Sequence, residues 1–304
     1  MRPEIAGAAY ALPGRALTLD DLPRLAPLLA SRLQGLGEQA IADLSAPNQW
    51  LFRRVHQARL LDQGAHARWP AISSLSYDGE RLLCPLFDAA AVPGPDWPAL
   101  LQGHAGLFPL TGREAQRLDP ALWQLEQRRD DADYLYPADH FRQYRGTALQ
   151  KKRNLMKQCL AAHRIEVLPY TPALQHEALA VLDGWVQDKA KAAGEADDLP
   201  CRDALALSDR LGLQGFLHRA DGLAAGFVLA EWLQPGVAVV RFAKGLASVK
   251  GISQWMFHHL ACNAPQPLHW LNFEQDLGLA NFRRTKQSYQ PAALLPKWRA
   301  RWPG

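Results

Sequence analysis

The chain has 304 residues, enough for two domains of ordinary size, and its 48% hydrophobic and 21% charged residues are a globular composition. No apolar run approaches the roughly 20 residues of a membrane-spanning helix, and Met1-Arg2-Pro3-Glu4-Ile5 leads into no apolar core of a secretory leader, so a soluble, cytoplasmic protein is expected. The net charge of +4 is unevenly held: residues 1–150 carry 15 Arg, no Lys and 17 acids, residues 151–304 carry 19 bases and 13 acids, and no acid follows Asp276.

In the first half, the apolar spacing predicts helices over Leu19 to Leu36 and Pro47 to Leu61, the second capped by Ser45. Ile72 to Tyr77 and Arg81 to Phe87 flank Asp78-Gly79-Glu80 and read as a hairpin. Thr111-Gly112-Arg113-Glu114 fits a capping box opening a helix toward Glu126, and Tyr134-Leu135-Tyr136 reads as a strand.

The second half repeats this order. A helix from Thr147 to Ala162 precedes a strand at Ile165 to Leu168, a helix opened by Thr171-Pro172, and a shorter helix near Cys201. Gly215 to Arg219, Ala224 to Leu233 and Val237 to Ala243 read as consecutive antiparallel strands, Gly251 to Cys262 as a helix, and Leu268 to Phe273 as a strand. This order predicts an α/β protein with two mixed, mostly antiparallel sheets flanked by helices, divided into domains at 1–140 and 141–304. Cys84, Cys159, Cys201 and Cys262 form no close pair, so free core thiols and no metal site are expected.

Four stretches carry chemistry. Lys151, Lys152 and Arg153 near a helix start would attract a phosphate, or be a solvated basic face. Lys244-Gly245 through Lys250-Gly251 joins a strand to a helix whose first amides could hold a pyrophosphate, although an ordinary turn reads the same way. Trp185 to Lys189 lies on a helix beside them. In Asn272-Phe273-Glu274-Gln275-Asp276, a spacing of two would point Asn272, Glu274 and Asp276 to one side if the strand stays extended, with Arg283 and Lys286 on the next helix. That cluster reads as a base and anion site, or as a buried salt-bridge network.

Together with Arg129-Asp130, Asp133-Tyr134-Leu135-Tyr136, Gly146, Asn154, Tyr289-Gln290-Pro291 and Lys297, these stretches resemble a bacterial family of tandem acetyltransferase-like proteins related to the catalytic domain of phosphatidylglycerol lysyltransferases. Thr147 and Phe273 depart from the resemblance, which leads one to expect basic residues there. The resemblance implies two acetyltransferase-like (GNAT) domains and acyl or aminoacyl transfer from acyl-CoA or aminoacyl-tRNA to an amine or hydroxyl of a small molecule, peptide or lipid headgroup, with no tightly bound cofactor. Glu274 or Asp276 would serve as base or position the acceptor, with Glu231 a further candidate. Lys244, Gly245, Lys250, Gly251, Lys151, Lys152, Arg153, Asn272, Arg283 and Lys286 would face the donor. A tRNA donor would run along the bases after Asp276. The rival reading is a non-catalytic module of the same fold that binds RNA or another anion.

Overall fold

The computed structural model describes residues 14–188 and 197–303; the Met1 to Ile5 stretch read for a leader, and Lys189, lie outside them. Fourteen strands run β1 (Arg15–Ala16), β2 (Arg59–Leu61), β3 (Ala71–Leu75), β4 (Arg81–Pro85), β5 (Gly106–Leu110), β6 (Gln124–Gln127), β7 (Asp133–Pro137), β8 (Ile165–Pro169), β9 (Gln214–Ala220), β10 (Leu223–Gln234), β11 (Gly236–Gly245), β12 (Leu268–Asn272), β13 (Ala293–Leu295) and β14 (Trp298–Arg301) among the described residues. The helices are α1 (Leu22–Leu33), α2 (Ala46–Leu51), α3 (Trp97–Leu100), α4 (Gly112–Ala115), α5 (Ala138–Gln143), α6 (Gln150–Ala162), α7 (Gln175–Asp188), α8 (Asp198–Ala206), α9 (Ile252–Asn263) and α10 (Ala280–Gln287).

The strands form two seven-stranded sheets, ordered β1-β2-β3-β4-β5-β14-β6 and β8-β9-β10-β11-β12-β7-β13. Position by position the orders correspond, with an antiparallel meander (β2 to β4, β9 to β11) followed by one parallel neighbour (β5, β12) in each. The sixth place is exchanged: β7 joins the second sheet beside β12, and the last strand, β14, joins the first beside β5.

Alternation along each strand sorts side chains into cores. Leu60, Ile72 and Cys84 of the first sheet, and Leu217, Phe227, Leu229 and Phe242 of the second, share a middle core with α1, α7 and α8. Their neighbours Leu61, Ala71 and Leu83 pack outward with Trp97 and Trp123, whereas Phe216, Val228 and Val240 pack against α5, α6 and α9.

Most predicted elements are present, and the differences have local causes. The helix expected to reach Leu61 ends at Leu51: Gln57 turns the chain at φ +47°, after which Leu60 and Leu61 alternate between two cores as β2. The Thr111 and Glu114 capping box forms, but its helix stops at Ala115, and Pro120, which has no N–H to donate, precedes β6 where helix was expected. Of the four cysteines, Cys262 is exposed rather than buried. No helix among the described residues is long and apolar enough to cross a membrane.

Candidate active site

On β11 the run Val237-Ala238-Val239-Val240 is followed by Arg241. Leu229 pairs with Phe242 and Ala230 with Val240, so Arg241 is the extra residue of a β-bulge. Arg241 and Phe242 therefore both face the first half of the chain, where Phe242 stacks on Phe52 at 6.2 Å. The Arg241 side chain is 0% exposed and fully engaged: Nε donates to Glu231 Oε2 (2.8 Å), Nη1 to Glu274 Oε1 (2.5 Å), and Nη2 to the Ala42 carbonyl and Ser45 Oγ (2.9 Å each). Ser45 in turn donates to Glu231 Oε2 at 3.0 Å. One guanidinium thus joins two of the three expected catalytic carboxylates.

Glu274 reaches Arg241 because the sheet opens there. The parallel pairing of β11 with β12 ends at Val239 and Asn272, whereas β11 continues to Gly245. Past Asn272 the chain stays on β7 through Phe273 N–H to the Tyr134 carbonyl (2.9 Å) and Tyr134 N–H to the Glu274 carbonyl (3.2 Å). It then turns, with Glu274 at φ +56° and Leu277 at +55°. That left-handed geometry costs a side-chain-bearing residue roughly 1–2 kcal/mol, and such strain is held where surrounding contacts over-determine it. Here Asn272 Oδ1 accepts from Glu274 N–H (2.7 Å), and Lys286 Nζ donates to the carbonyls of Phe273 (2.5 Å), Glu274 (3.1 Å) and Gln275 (2.5 Å).

This turn corrects the expectation that Asn272, Glu274 and Asp276 share one side, because the positive φ at Glu274 breaks the two-residue alternation. Asn272 donates to Asp133 (3.0 Å), Glu274 meets Arg241, and Asp276 points to a separate cluster. In that cluster Asp276 accepts from Tyr134 Oη (2.6 Å), Arg283 Nε (2.8 Å) and Nη2 (2.9 Å), Arg129 (3.2 Å) and Gly278 N–H (2.9 Å). Burial would raise its carboxyl, but these donors outweigh burial and hold it well below the usual carboxylate range. Glu274 behaves oppositely: burial lifts its carboxyl above the usual range against the pull of Arg241 and Lys286.

Beside these groups, fully buried Lys297 joins Asp43, Asp133 (2.7 Å) and Gln275 Oε1 (2.7 Å). Burial would lower the Lys297 ammonium, yet Asp133 and Asp43 hold it above its ordinary value. On the first-half side, a cavity of about 50 Å³ is bordered by Asp43, Gln49, Phe52, Tyr77, Asp131 and Gln275.

The expected donor loop is placed differently from the reading of its residues as ligand contacts. Lys244 is buried, donating to Asp197 (2.6 Å) over the Trp185 ring (3.9 Å). A Cβ on Gly251 would lie 2.0 Å from the Leu155 carbonyl, and one on Gly245 2.8 Å from Ile252, so both glycines let α9 pack closely. The amides of Leu246, Ala247, Val249 and Ile252 already have acceptors, Ala247 through the Asp188 carboxylate at 2.9 Å. Lys250 is exposed. On α6, Lys151 is exposed, Lys152 lies over the Tyr289 ring (3.9 Å), and Arg153 donates to the Tyr144 carbonyl (2.7 Å).

Apart from exposed Arg284, the bases after Asp276 do not form an outward track for phosphates either. Arg283 pairs with Asp276 and Asp130, Lys297 with Asp43 and Asp133, Arg299 with Asp131, Asp78 and Glu80, and Arg301 with Glu80 and Glu126. Lys286 spends its donors on backbone carbonyls. Much of the charge difference between the halves is therefore complementarity inside the molecule.

A family model described as "Phosphatidylglycerol lysyltransferase, C-terminal" matches residues 100–301, more than half of the chain. The chain belongs to this family. Among solved structures, a conserved protein of unknown function from Bacteroides thetaiotaomicron superposes with a TM-score of 0.77 at 20% identity, covering 96% of this chain and 99% of that one. L-PGS from Bacillus licheniformis superposes with a TM-score of 0.57 at 13% identity (96% and 94% covered). The C-terminal domain of a putative lysylphosphatidylglycerol synthetase from Agrobacterium fabrum gives 0.56 at 14% (91% and 92%). These likenesses establish the fold, two mixed seven-stranded sheets flanked by helices. No curated protein sequence matches the chain.

In this member of the lysyltransferase C-terminal family, sequence reasoning missed Arg241 and the first-half residues Ala42, Asp43 and Ser45. A lone Arg inside an apolar strand was the available signal for Arg241; Ser45 was read as a helix cap, which it also is, accepting from Asn48 N–H at 3.0 Å. The Phe273 departure is a packing choice: its ring stacks on Phe141 at 5.1 Å and packs against Tyr136 at 4.9 Å. Among the described residues, no group of three His, Cys, Asp or Glu side chains could hold a metal ion.

Proposed function

We propose that this chain transfers an aminoacyl group from an aminoacyl-tRNA ester to an amine or hydroxyl acceptor, with Glu274 as the proton acceptor. The observation that carries the reading is the Glu231, Arg241, Glu274 arrangement at the open end of β11. One guanidinium between two carboxylates leaves one negative charge in excess, which a proton on Glu274 cancels. Glu274 is the more exposed partner, at 20% of its side chain against 10% for Glu231, and burial raises its carboxyl above the usual range, which makes it the stronger base. Asp276, saturated by cationic and amide donors, is an anchor for the loop.

In the reaction, the acceptor nitrogen or oxygen attacks the ester carbonyl carbon and its proton passes to Glu274. The new bond forms, the bond to the ribose oxygen breaks, and Glu274 returns the proton to that oxygen; no covalent enzyme intermediate is needed. An ester donor is favoured over acyl-CoA because, in the loop between β11 and α9, the amides of Leu246, Ala247 and Val249 already have acceptors, Ala247 through the Asp188 carboxylate, whose negative charge opposes a pyrophosphate there. Lys151, Lys157, Lys250 and Arg284 are exposed, in no ion pair among the described residues, and remain for tRNA phosphates.

The test is incubation with pools of aminoacyl-tRNA and of acyl-CoA, following donor loss by mass spectrometry. Loss confined to the tRNA pool is the expected result. Salt-dependent tRNA binding with no turnover of either pool would instead favour the non-catalytic reading.

A further inference from the structure

Three consecutive carbonyls, of Phe273, Glu274 and Gln275, converge on one buried ammonium, Lys286 Nζ. We propose that Lys286 is a positioning residue whose charged ammonium holds the Phe273 to Gln275 turn in the left-handed geometry that aims Glu274 at Arg241. The proposal rests on the reading of Glu274 as proton acceptor and adds the device that places it.

Helix α10 does not need this ammonium to stay docked. Arg283 ties it to Asp276 and Asp130, Tyr136 Oη donates to the Lys286 carbonyl at 2.7 Å, and Tyr289, just past the helix, packs on Phe141 and accepts from Gln254. Removing the ammonium therefore takes this donor from the Phe273 and Gln275 carbonyls, and leaves the Glu274 carbonyl only Tyr134 N–H, without detaching the helix. The turn, with Glu274 and Leu277 both at positive φ, then loses the charge-assisted bonds that offset its geometry.

The groups facing Lys286 are Glu274 and Asp276 from the loop, Asp133 and the Tyr134 ring from β7, and Lys297 from the approach to β14. Burial pulls the ammonium down to about 8, against the pull of Glu274 and Asp133. Above that pH a neutral amine has two N–H groups for three carbonyls and no charge to orient them. The clamp is thus tight at neutral pH and released in mild alkali.

The experiment measures kcat and KM for aminoacyl-tRNA between pH 6 and 10 in the wild type, Lys286→Met and Lys286→Arg, with melting curves for each. The expected wild-type kcat falls near pH 8. Lys286→Met keeps KM but lowers kcat by on the order of 100-fold, as misplacement of a reacting group does, and shows no fall near pH 8. Lys286→Arg, whose guanidinium does not titrate, keeps more activity and also lacks that limb. A Lys286→Met kcat and pH profile matching the wild type overturns the proposal. Hydrogen exchange of the 268–279 segment separates this failure from failure of the transferase reading. Faster exchange there in Lys286→Met, with β9 to β11 unchanged, supports the clamp whether or not any donor turns over; unchanged exchange overturns it.

Discussion

Arg241 and Glu274 meet at 2.5 Å where no backbone ladder joins their segments: Arg241 is bulged from β11, and Glu274 lies beyond the last pairing of β12. The contact is made by side chains alone, and Ala42 and Ser45 from the first half complete its shell. Assembly of the site thus depends on both halves.

Removing the guanidinium should be costly. Arg241→Met leaves Glu231 and Glu274 uncompensated in a buried setting, and breaking such a pair costs about 3–5 kcal/mol. Urea denaturation of the variant against the wild type measures it; a loss below about 1 kcal/mol would mean that solvent reaches these carboxylates freely.

Activity and stability should respond to acid through different residues. Glu274 must be ionised to accept a proton, and burial raises its carboxyl above 4.5, so kcat should fall on the acid side at a pH above that value. Asp276 is held below its unfolded value of 3.8, so its contribution to stability is present above that pH and lost as pH falls through the folded value. Asp276→Asn should lower stability at pH 7 and flatten the acid decline, as melting temperatures from pH 7 to 2 would record.

Gly251 should matter for packing. With φ +91° and the Leu155 carbonyl in the place of a Cβ, Gly251→Ala is expected to destabilise the fold by more than about 1 kcal/mol. Denaturation midpoints test this; an unchanged midpoint with weakened donor binding would return Gly251 to the donor site.

His218 offers a gain in stability. It is fully buried, both ring nitrogens lack a hydrogen-bond partner, and burial with the nearby His259 lowers it from 6.5 to about 3. Between those values the unfolded chain binds the extra proton, so stability falls as pH drops below 6.5. His218→Leu should remove that decline and stabilise the protein by about 1–3 kcal/mol at pH 7, the penalty of unsatisfied buried polar groups. Calorimetry at pH 7 and pH 5 would show it.

The second-sheet meander was legible because β9 to β11 combine apolar alternation with an Asp221-Gly222 turn. The exchanged strand was not. Trp298 to Arg301 reads as a basic tail, and only its partners Asp131, Asp78, Glu80 and Glu126, distant in sequence, turn those charges inward. In the same way, Glu274 was recognised as a candidate from its local pattern, whereas its orientation depends on a left-handed turn and on Lys286, neither of which a two-residue period encodes. Arg241 was visible only as an oddity in an apolar run, since its partners come from three separate segments.

The most direct measurement compares wild type and Glu274→Gln for transfer from a defined aminoacyl-tRNA pool at pH 7. Loss of a general base lowers turnover by about 10²- to 10⁴-fold, and that fall is predicted with melting temperature nearly unchanged. Full turnover by the folded variant would contradict the account.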